Sequence, residues 1–172
     1  MGRDEDECAD HRVDSAVIRP EHDTLLLDVM LGTLASYLRM CGYDTVYALD
    51  RGVEDDDALR GLAASDARRL ITRDRALAAS TPGAIRLDAR DVVDQLGELR
   101  DAGVRLRLAD RPSRCGSCNG LVERVDDDAP RPDYAPDEGA VWRCRECGQH
   151  FWRGSHWDDV ADTLASLSRA DR

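Results

Sequence analysis

Four of the six cysteines in this sequence form two Cys-x-x-Cys pairs, at Cys115, Cys118, Cys144 and Cys147. A turn-forming residue follows each pair, Asn119 after the first and Gly148 after the second. Two such pairs on adjacent hairpins bring four sulfur atoms around one tetrahedral ion, so we predict a structural zinc site. The alternative interpretation, two disulfide bonds, requires an oxidising compartment, and nothing in the sequence indicates one. The 25 residues between the pairs exceed the usual spacing, so the polar segment 126–139 is expected to loop out.

Three aspartates lie at the ends of predicted strands or at the start of a predicted helix, and they suggest a second metal site. Asp28 ends an apolar run, Asp74 comes just after another, and Asp56 begins a helix. Because ligands of an open α/β sheet bind beyond the carboxyl ends of its strands, these three carboxylates are expected to converge there. Such a cluster repels itself unless a cation neutralises it, and hard oxygen ligands select Mg²⁺ or Mn²⁺. The chemistry expected from this arrangement is metal-assisted hydrolysis of a phosphodiester bond.

A less specific interpretation of the aspartates stays open. The sequence contains 27 aspartates, so many will lie at strand ends and helix starts by chance. Asp56 could serve only as an N-cap, and Asp55 or Asp57 could take its place in a metal site. Asp28 is the strongest candidate, because it ends an apolar run and leads directly into a helix.

The order of predicted elements indicates an α/β fold. Strands are predicted at 24–27, 43–49, 69–72 and 84–87, and helices at 29–41, 54–64 and 91–102. This βαβαβ…βα order favours a parallel sheet with helices on both faces. We divide the chain into an acidic, disordered tail (1–22), an α/β domain (23–110) and a zinc ribbon with a terminal helix at 157–169 (111–172).

Composition limits the classes of protein to which the chain could belong. Its 172 residues have a net charge of −11, all 24 basic residues are arginine, and aspartate outnumbers glutamate 27 to 8. We interpret this as adaptation to high salt, so the acidity describes the whole surface and says little about partners. No apolar run approaches the roughly 20 residues that span a bilayer, and the acidic N-terminus is not a signal peptide. A cytoplasmic protein with Cys8 and Cys41 as free thiols is expected.

Several segments, taken in order with the two cysteine pairs, resemble the Mut-seven C-terminal RNase family over about residues 24–160. The segments are Leu27–Ala35, Tyr37–Asp44, Asp56–Leu59, Leu70–Leu77 and Phe151–Trp157. The resemblance implies a PIN-like three-layer α/β/α nuclease domain fused to a zinc ribbon, with Mg²⁺-dependent ribonuclease activity. It places the acidic site on Asp28, Asp56 and Asp74, the same residues that the strand ends indicate.

Two further expectations come with this resemblance. Asp44 matches a family position but begins a strand, so a structural role is expected for it. PIN domains often use a fourth acid, which Asp88 or Asp91 could supply, although neither lies in a motif that matches the family. Without a fourth acid, chemistry with a single metal ion or weak activity is expected.

Candidate RNA contacts lie in two places. Arg73 and Arg75 flank Asp74 and could hold the scissile phosphate, while Arg153 and His156 belong to the motif Trp-Arg-Gly-Ser-His-Trp after the second cysteine pair. Arginine suits phosphate, and aromatic rings suit base stacking. The alternative for this motif is that its tryptophans pack the ribbon against the nuclease domain. His150 and His156 are not expected to bind zinc, because the four cysteines already supply all four ligands of a tetrahedral zinc ion.

The sequence therefore predicts a metal-dependent ribonuclease whose structural zinc ribbon aids the binding of RNA or of a ribonucleoprotein. The alternative is a module that binds RNA or a ribonucleoprotein without cutting it. The RNA substrate, the choice between endonuclease and exonuclease action, and the oligomeric state stay open.

Overall fold

A computed structural model describes residues 17–167, which form a four-stranded parallel sheet, a smaller antiparallel sheet and five α-helices. The parallel strands are β1 (Thr24–Leu27), β2 (Asp44–Tyr47), β3 (Arg69–Thr72) and β4 (Ile85–Arg86), in the spatial order β2-β1-β3-β4. Leu26 of β1 lies beside Val46 of β2 on one side and Leu70 of β3 on the other. This architecture confirms the predicted α/β fold.

The helices are α1 (Gly32–Met40), α2 (Asp56–Ser65), α3 (Arg75–Ser80), α4 (Val92–Asp101) and α5 (Ser155–Leu167), and a 3-10 turn spans Ala48–Arg51. Helix α3 has six residues and was not predicted, because so short a segment carries little periodicity. No helix within residues 17–167 is long and apolar enough to cross a membrane.

The sheet is covered by helices on both faces. Leu25 and Leu27 point to the face that packs against α1, α4 and α5, whereas Leu26 points to the face covered by α2 and α3. Successive side chains of a strand point to opposite faces, so a sheet buried on both sides needs strands that are apolar throughout. This requirement explains the uninterrupted leucine run of β1.

The small sheet is built around the cysteine pairs. Its strands are β5 (Val122–Arg124), β6 (Val141–Cys144) and β7 (His150–Trp152), which pair in antiparallel fashion in the order β5-β6-β7. The segment 126–139 between β5 and β6 contains no helix or strand and loops out as predicted.

Both ends of the described chain pack on the parallel-sheet unit. Ile18 is buried, and its backbone N–H donates to the Gly103 carbonyl at 2.9 Å. Helix α5 packs against α4, and its Val160 and Leu164 belong to the same core as β1. Residues 1–16, most of the predicted tail, lie outside the described residues, as do the last residues of the predicted terminal helix. The proposed domain division stays a prediction.

The segment that carries the first cysteine pair, here called the first knuckle (residues 115–120), docks on the free edge of β2. The Thr45 N–H donates to Oδ1 of Asn119 at 2.9 Å, and Nδ2 of Asn119 donates to Asp44 at 2.8 Å. The buried guanidinium of Arg39 donates to the carbonyls of residues 116 and 117 at 2.9 and 3.0 Å. These contacts satisfy polar groups that an edge strand would otherwise leave unpaired.

The contacts of Asp44 agree with the structural role expected for it. Its carboxylate accepts hydrogen bonds from Arg68 at 2.8 Å and from Asn119 at 2.8 Å. Partial burial opposes ionisation of Asp44, but these hydrogen bonds outweigh burial and lower the pKa of the carboxyl group. The first knuckle is therefore joined to the parallel sheet through a charged carboxylate.

Candidate functional site

Asp28 lies at the carboxyl end of β1, where the sheet changes winding direction. The helices that follow β1 and β3 cover opposite faces of the sheet, and this arrangement opens a crevice between the ends of these two neighbouring strands. Asp28 is only 5% exposed. Its Oδ1 accepts the Val29 N–H at 2.6 Å, and its Oδ2 accepts the hydroxyl of Thr72 at 2.6 Å. These two hydrogen bonds hold the carboxylate in one orientation at the carboxyl end of β1.

Asp74 lies beside it, just beyond the end of β3. Its backbone N–H donates to the Thr72 hydroxyl at 2.9 Å, and its Oδ1 accepts the Leu77 N–H at 2.7 Å and so caps α3. The fully buried Thr72 hydroxyl therefore connects Asp28 and Asp74. We refer to Asp28, Thr72 and Asp74 together as the acidic edge. Sequence reasoning missed Thr72, although a polar residue that ends an apolar strand two positions before an aspartate was an available signal.

Asp56 is the first residue of α2 and is exposed. The N-cap of this helix is Asp55, whose side chain accepts the Ala58 N–H at 3.0 Å. The carboxylate of Asp56 has no hydrogen bond or ion pair within residues 17–167. Asp28, Asp56 and Asp74 do not form a set of three donor groups close enough to share an ion, in the part of the chain that the structure describes. Through the Thr72 hydroxyl the structure connects the carboxylate of Asp28 to the backbone of Asp74, and it shows no such link to Asp56 among residues 17–167.

None of these three carboxylates forms an ion pair with an arginine of residues 17–167. A buried carboxylate without a cationic partner is energetically costly, so the environment of Asp28 fits a bound cation. The two candidates for a fourth acid are already engaged. Asp88 pairs with Arg86 at 2.6 Å, and Asp91 caps α4 by accepting the Val93 N–H at 2.9 Å.

The predicted RNA-contacting residues fall at two locations. Arg73 is half-buried at the acidic edge, and its buried Nε has no hydrogen-bond partner among the described residues. Arg75 is exposed at the start of α3. Arg153 follows β7, and its guanidinium carbon lies 5.4 Å from the centroid of the Trp157 ring. His156 is exposed in the first turn of α5.

The four predicted zinc ligands come together. The Sγ atoms of Cys115, Cys118, Cys144 and Cys147 all lie within 4.8 Å of one another. The sulfurs of Cys115 and Cys147 are 3.6 Å apart, and those of Cys118 and Cys144 are 3.5 Å apart. A tetrahedral zinc ion with Zn–S bonds of about 2.3 Å would place its sulfur ligands about 3.8 Å from each other. The cluster therefore fits zinc in both donor type and spacing.

Close packing and backbone hydrogen bonds prepare this site. A Cβ atom on Gly120 would lie 2.9 Å from the Cys144 sulfur, so a glycine is needed where the first knuckle meets the second (residues 144–148). Burial raises the pKa of Cys115 to about 12. Burial also opposes ionisation of Cys144, but hydrogen bonds from the backbone of Cys147 and Glu146 lower its pKa to about 7. A bound zinc ion would hold all four as thiolates.

Comparison with known proteins gives one match. A family model described as the Mut7-C RNAse domain matches residues 23–164. No curated protein and no solved structure matches the chain. The matched range begins just before β1 and ends inside α5, so it contains the parallel sheet, the acidic edge and all four clustered cysteines. The chain therefore belongs to the Mut7-C RNAse domain family.

Proposed function

We propose that this protein is a metal-dependent ribonuclease that hydrolyses RNA phosphodiester bonds at the acidic edge. The family description indicates a ribonuclease-type function. The observation that carries the finer proposal is the buried carboxylate of Asp28, which lacks a cationic partner and is connected to Asp74 through Thr72. The negative carboxylates of such a site attract a divalent cation, and the bound cation can in turn attract a phosphate group.

The proposal assigns roles to three aspartates and one arginine. Asp28 and Asp74 would hold Mg²⁺ or Mn²⁺, with Asp56 at the start of α2 as the third proposed ligand. The bound ion supplies an activated water and neutralises charge on the phosphate. Both oxygens of Asp28 keep a free lone pair beside the hydrogen bonds that they accept. Arg73, whose buried Nε has no partner in residues 17–167, is suited to bind the scissile phosphate.

One observation favours the second candidate, a module that binds RNA or a ribonucleoprotein without cutting it. The three aspartates do not come close enough to share an ion within residues 17–167, and the Asp56 side chain is exposed. If Asp56 never approaches Asp28 and Asp74, the site offers an ion only two carboxylates. The zinc ribbon would then be the main contribution of the chain, because it presents arginine and aromatic side chains to a partner.

Incubation of the zinc-loaded protein with mixed cellular RNA separates these candidates. We expect cleavage when Mg²⁺ or Mn²⁺ is added and none when both are omitted, because the acidic edge needs a cation to approach a phosphate. The assay should be repeated over a range of salt concentrations, since the composition suggests a high-salt habitat. RNA that is retained by the protein but never cut, at any metal concentration, would establish the binding module instead.

Thr72 is expected to orient the Asp28 carboxylate and to fix the backbone of Asp74 beside it, so its hydroxyl should matter for activity. The change Thr72→Val keeps the shape and removes the hydrogen bonds to Asp28 and Asp74. We expect the rate of RNA cleavage to fall by about 10–100-fold, the usual cost of losing a partner that orients a metal-binding residue. The metal concentration for half-maximal activity should rise as well, and Thr72→Ser should restore both quantities. A Thr72→Val variant with the parent rate and metal dependence would refute this role.

A further inference from the structure

A cavity of about 330 Å³ lies where the ribbon meets the parallel-sheet unit. Its walls come from α1, from the first knuckle, and from the segment that runs from the end of the second knuckle through β7 into α5. Ser36 of α1 lines the cavity one helical turn after Gly32, where the helix begins close to Asp28. This volume lies at the lower end of the range for small-molecule pockets.

The lining differs sharply in composition from the rest of the molecule. Although 35 of the 172 residues are acidic, none of the lining residues carries a carboxylate. The only phenylalanine of the chain, two of its three tryptophans and two of its four histidines line the cavity. These residues are Phe151, Trp152, Trp157, His150 and His156. An aromatic, carboxylate-free hollow in so acidic a protein suits a ligand that is planar or anionic.

Trp152 is held as a wall of this cavity. A Cβ atom on Gly154 would lie 2.8 Å from Nε1 of the Trp152 indole, so the ring rests directly on the glycine backbone. Tyr134 contacts the same indole, with ring centroids 6.2 Å apart. Hydrogen-bonding groups stand near the ring, because the lining residues Ser117 and Gln149 join the two knuckles through an Oγ–Oε1 contact of 2.5 Å.

We propose that this cavity binds one unpaired nucleobase of an RNA strand, an inference that rests on the proposed ribonuclease function. A nucleobase is planar, so it can stack on Trp152, and its edge carries donors and acceptors that Gln149 and Ser117 can meet. Arg114, another lining residue, forms a 3.4 Å ion pair with Asp44 and donates to the Asn119 carbonyl, and its remaining N–H groups can donate to the adjoining phosphate. An RNA strand several nucleotides long can place one base here and a different phosphodiester bond at the acidic edge, because α1 links the two places.

The test measures binding of a short fluorescent single-stranded RNA to the zinc-loaded full chain, without Mg²⁺ or Mn²⁺ so that no cleavage occurs. We expect Trp152→Ala to weaken binding by about 10-fold or more, and Trp152→Phe to weaken it much less, because phenylalanine still stacks. His156→Gln changes an exposed lining residue and should weaken binding too, whereas His22→Gln, at an exposed histidine outside the cavity, should leave it unchanged. The RNA annealed to its complement should bind more weakly than the single strand.

If Trp152→Ala fails to retain zinc, Gln149→Ala takes its place, because Gln149 is an exposed lining residue. The proposal is overturned if two single variants, His156→Gln and the zinc-loaded Trp152→Ala (or Gln149→Ala in its place), both bind the RNA with wild-type affinity. A protein partner would then be the occupant of the cavity. Equal binding of the duplex would overturn it as well. Failure of the ribonuclease function is seen separately, as RNA that binds with this residue dependence but is never cut when metal is added.

Discussion

The change Asp28→Asn is expected to reduce metal-dependent RNA cleavage by about 10³-fold or more while the protein stays folded. Asparagine has the shape of aspartate and can still accept the Val29 N–H, and its amide can donate to the Thr72 hydroxyl. The substitution therefore removes the negative charge and keeps the local structure. A loss of 10³-fold corresponds to about 4 kcal/mol, in line with the several kcal/mol that a catalytic metal ion supplies.

The control for this experiment is Asp110→Asn, which removes one charge at an exposed position outside the acidic edge. It should leave the rate of RNA cleavage unchanged. Thermal unfolding of both variants tests whether the fold is intact. Asp28→Asn is expected to match or exceed the parent protein in stability without metal, because it removes a buried charge that has no cationic partner. Undiminished Mg²⁺-dependent cleavage in a folded Asp28→Asn protein would exclude the acidic edge as the active site.

The second large effect is expected at the zinc site. The change Cys115→Ala removes a buried ligand, so bound zinc should fall from one ion per chain to a small fraction, and the ribbon should lose its fixed structure. Structural zinc contributes about 10–16 kcal/mol of apparent binding energy in small zinc domains, which have no large core of their own. Metal analysis of the purified protein and the near-ultraviolet circular dichroism of its tryptophans measure the two effects.

The matched control is Cys41→Ala, since Cys41 is also a buried cysteine but packs in the core of the parallel-sheet unit. Its zinc content should stay at one ion per chain. Loss of the ribbon should also lower the stability of the parallel sheet, because Thr45 and Arg39 would exchange their partners on the first knuckle for water, at about 0.5–1.5 kcal/mol for each hydrogen bond lost. A Cys115→Ala protein that keeps one tightly bound zinc ion would show that these cysteines do not form the site.

Strands were easier to locate from the sequence than the short helix. The bounds of β1 and β3 agree with the prediction, because each contains an apolar run that is buried on two faces and is followed by a polar residue, Asp28 or Thr72. The prediction for α1 began three residues too early, since 29–31 form the turn that leads away from Asp28. Helix α3 depends on the cap that Asp74 provides and on Leu77 packing beneath the sheet, which short-range periodicity does not reveal.

Parts of the site were predictable for a similar reason. Asp28 was selected because it ends an apolar run and Asp74 because it comes just after another, and parallel strands end at a common edge. The role of Asp56 could not be decided in this way, because its position relative to the other two depends on how α2 is placed over the sheet. The docking of the first knuckle on β2 was also beyond prediction, as it joins Asn119 to Asp44 and Thr45 over more than 70 residues of chain.

The sequence by itself selected the four cysteines that come together and two aspartates near the ends of neighbouring strands, because spacing along the chain and local hydrophobicity specify a knuckle or a buried strand. Only the tertiary structure decided that one hydroxyl, on Thr72, links Asp28 to Asp74, and that the ribbon and α1 enclose a carboxylate-free cavity. Contacts of this kind join residues far apart in the chain, such as Thr72 and Asp28 at a separation of 44. They arise from the packing of complete elements, so a local pattern can single out a residue such as Thr72 without revealing its partner.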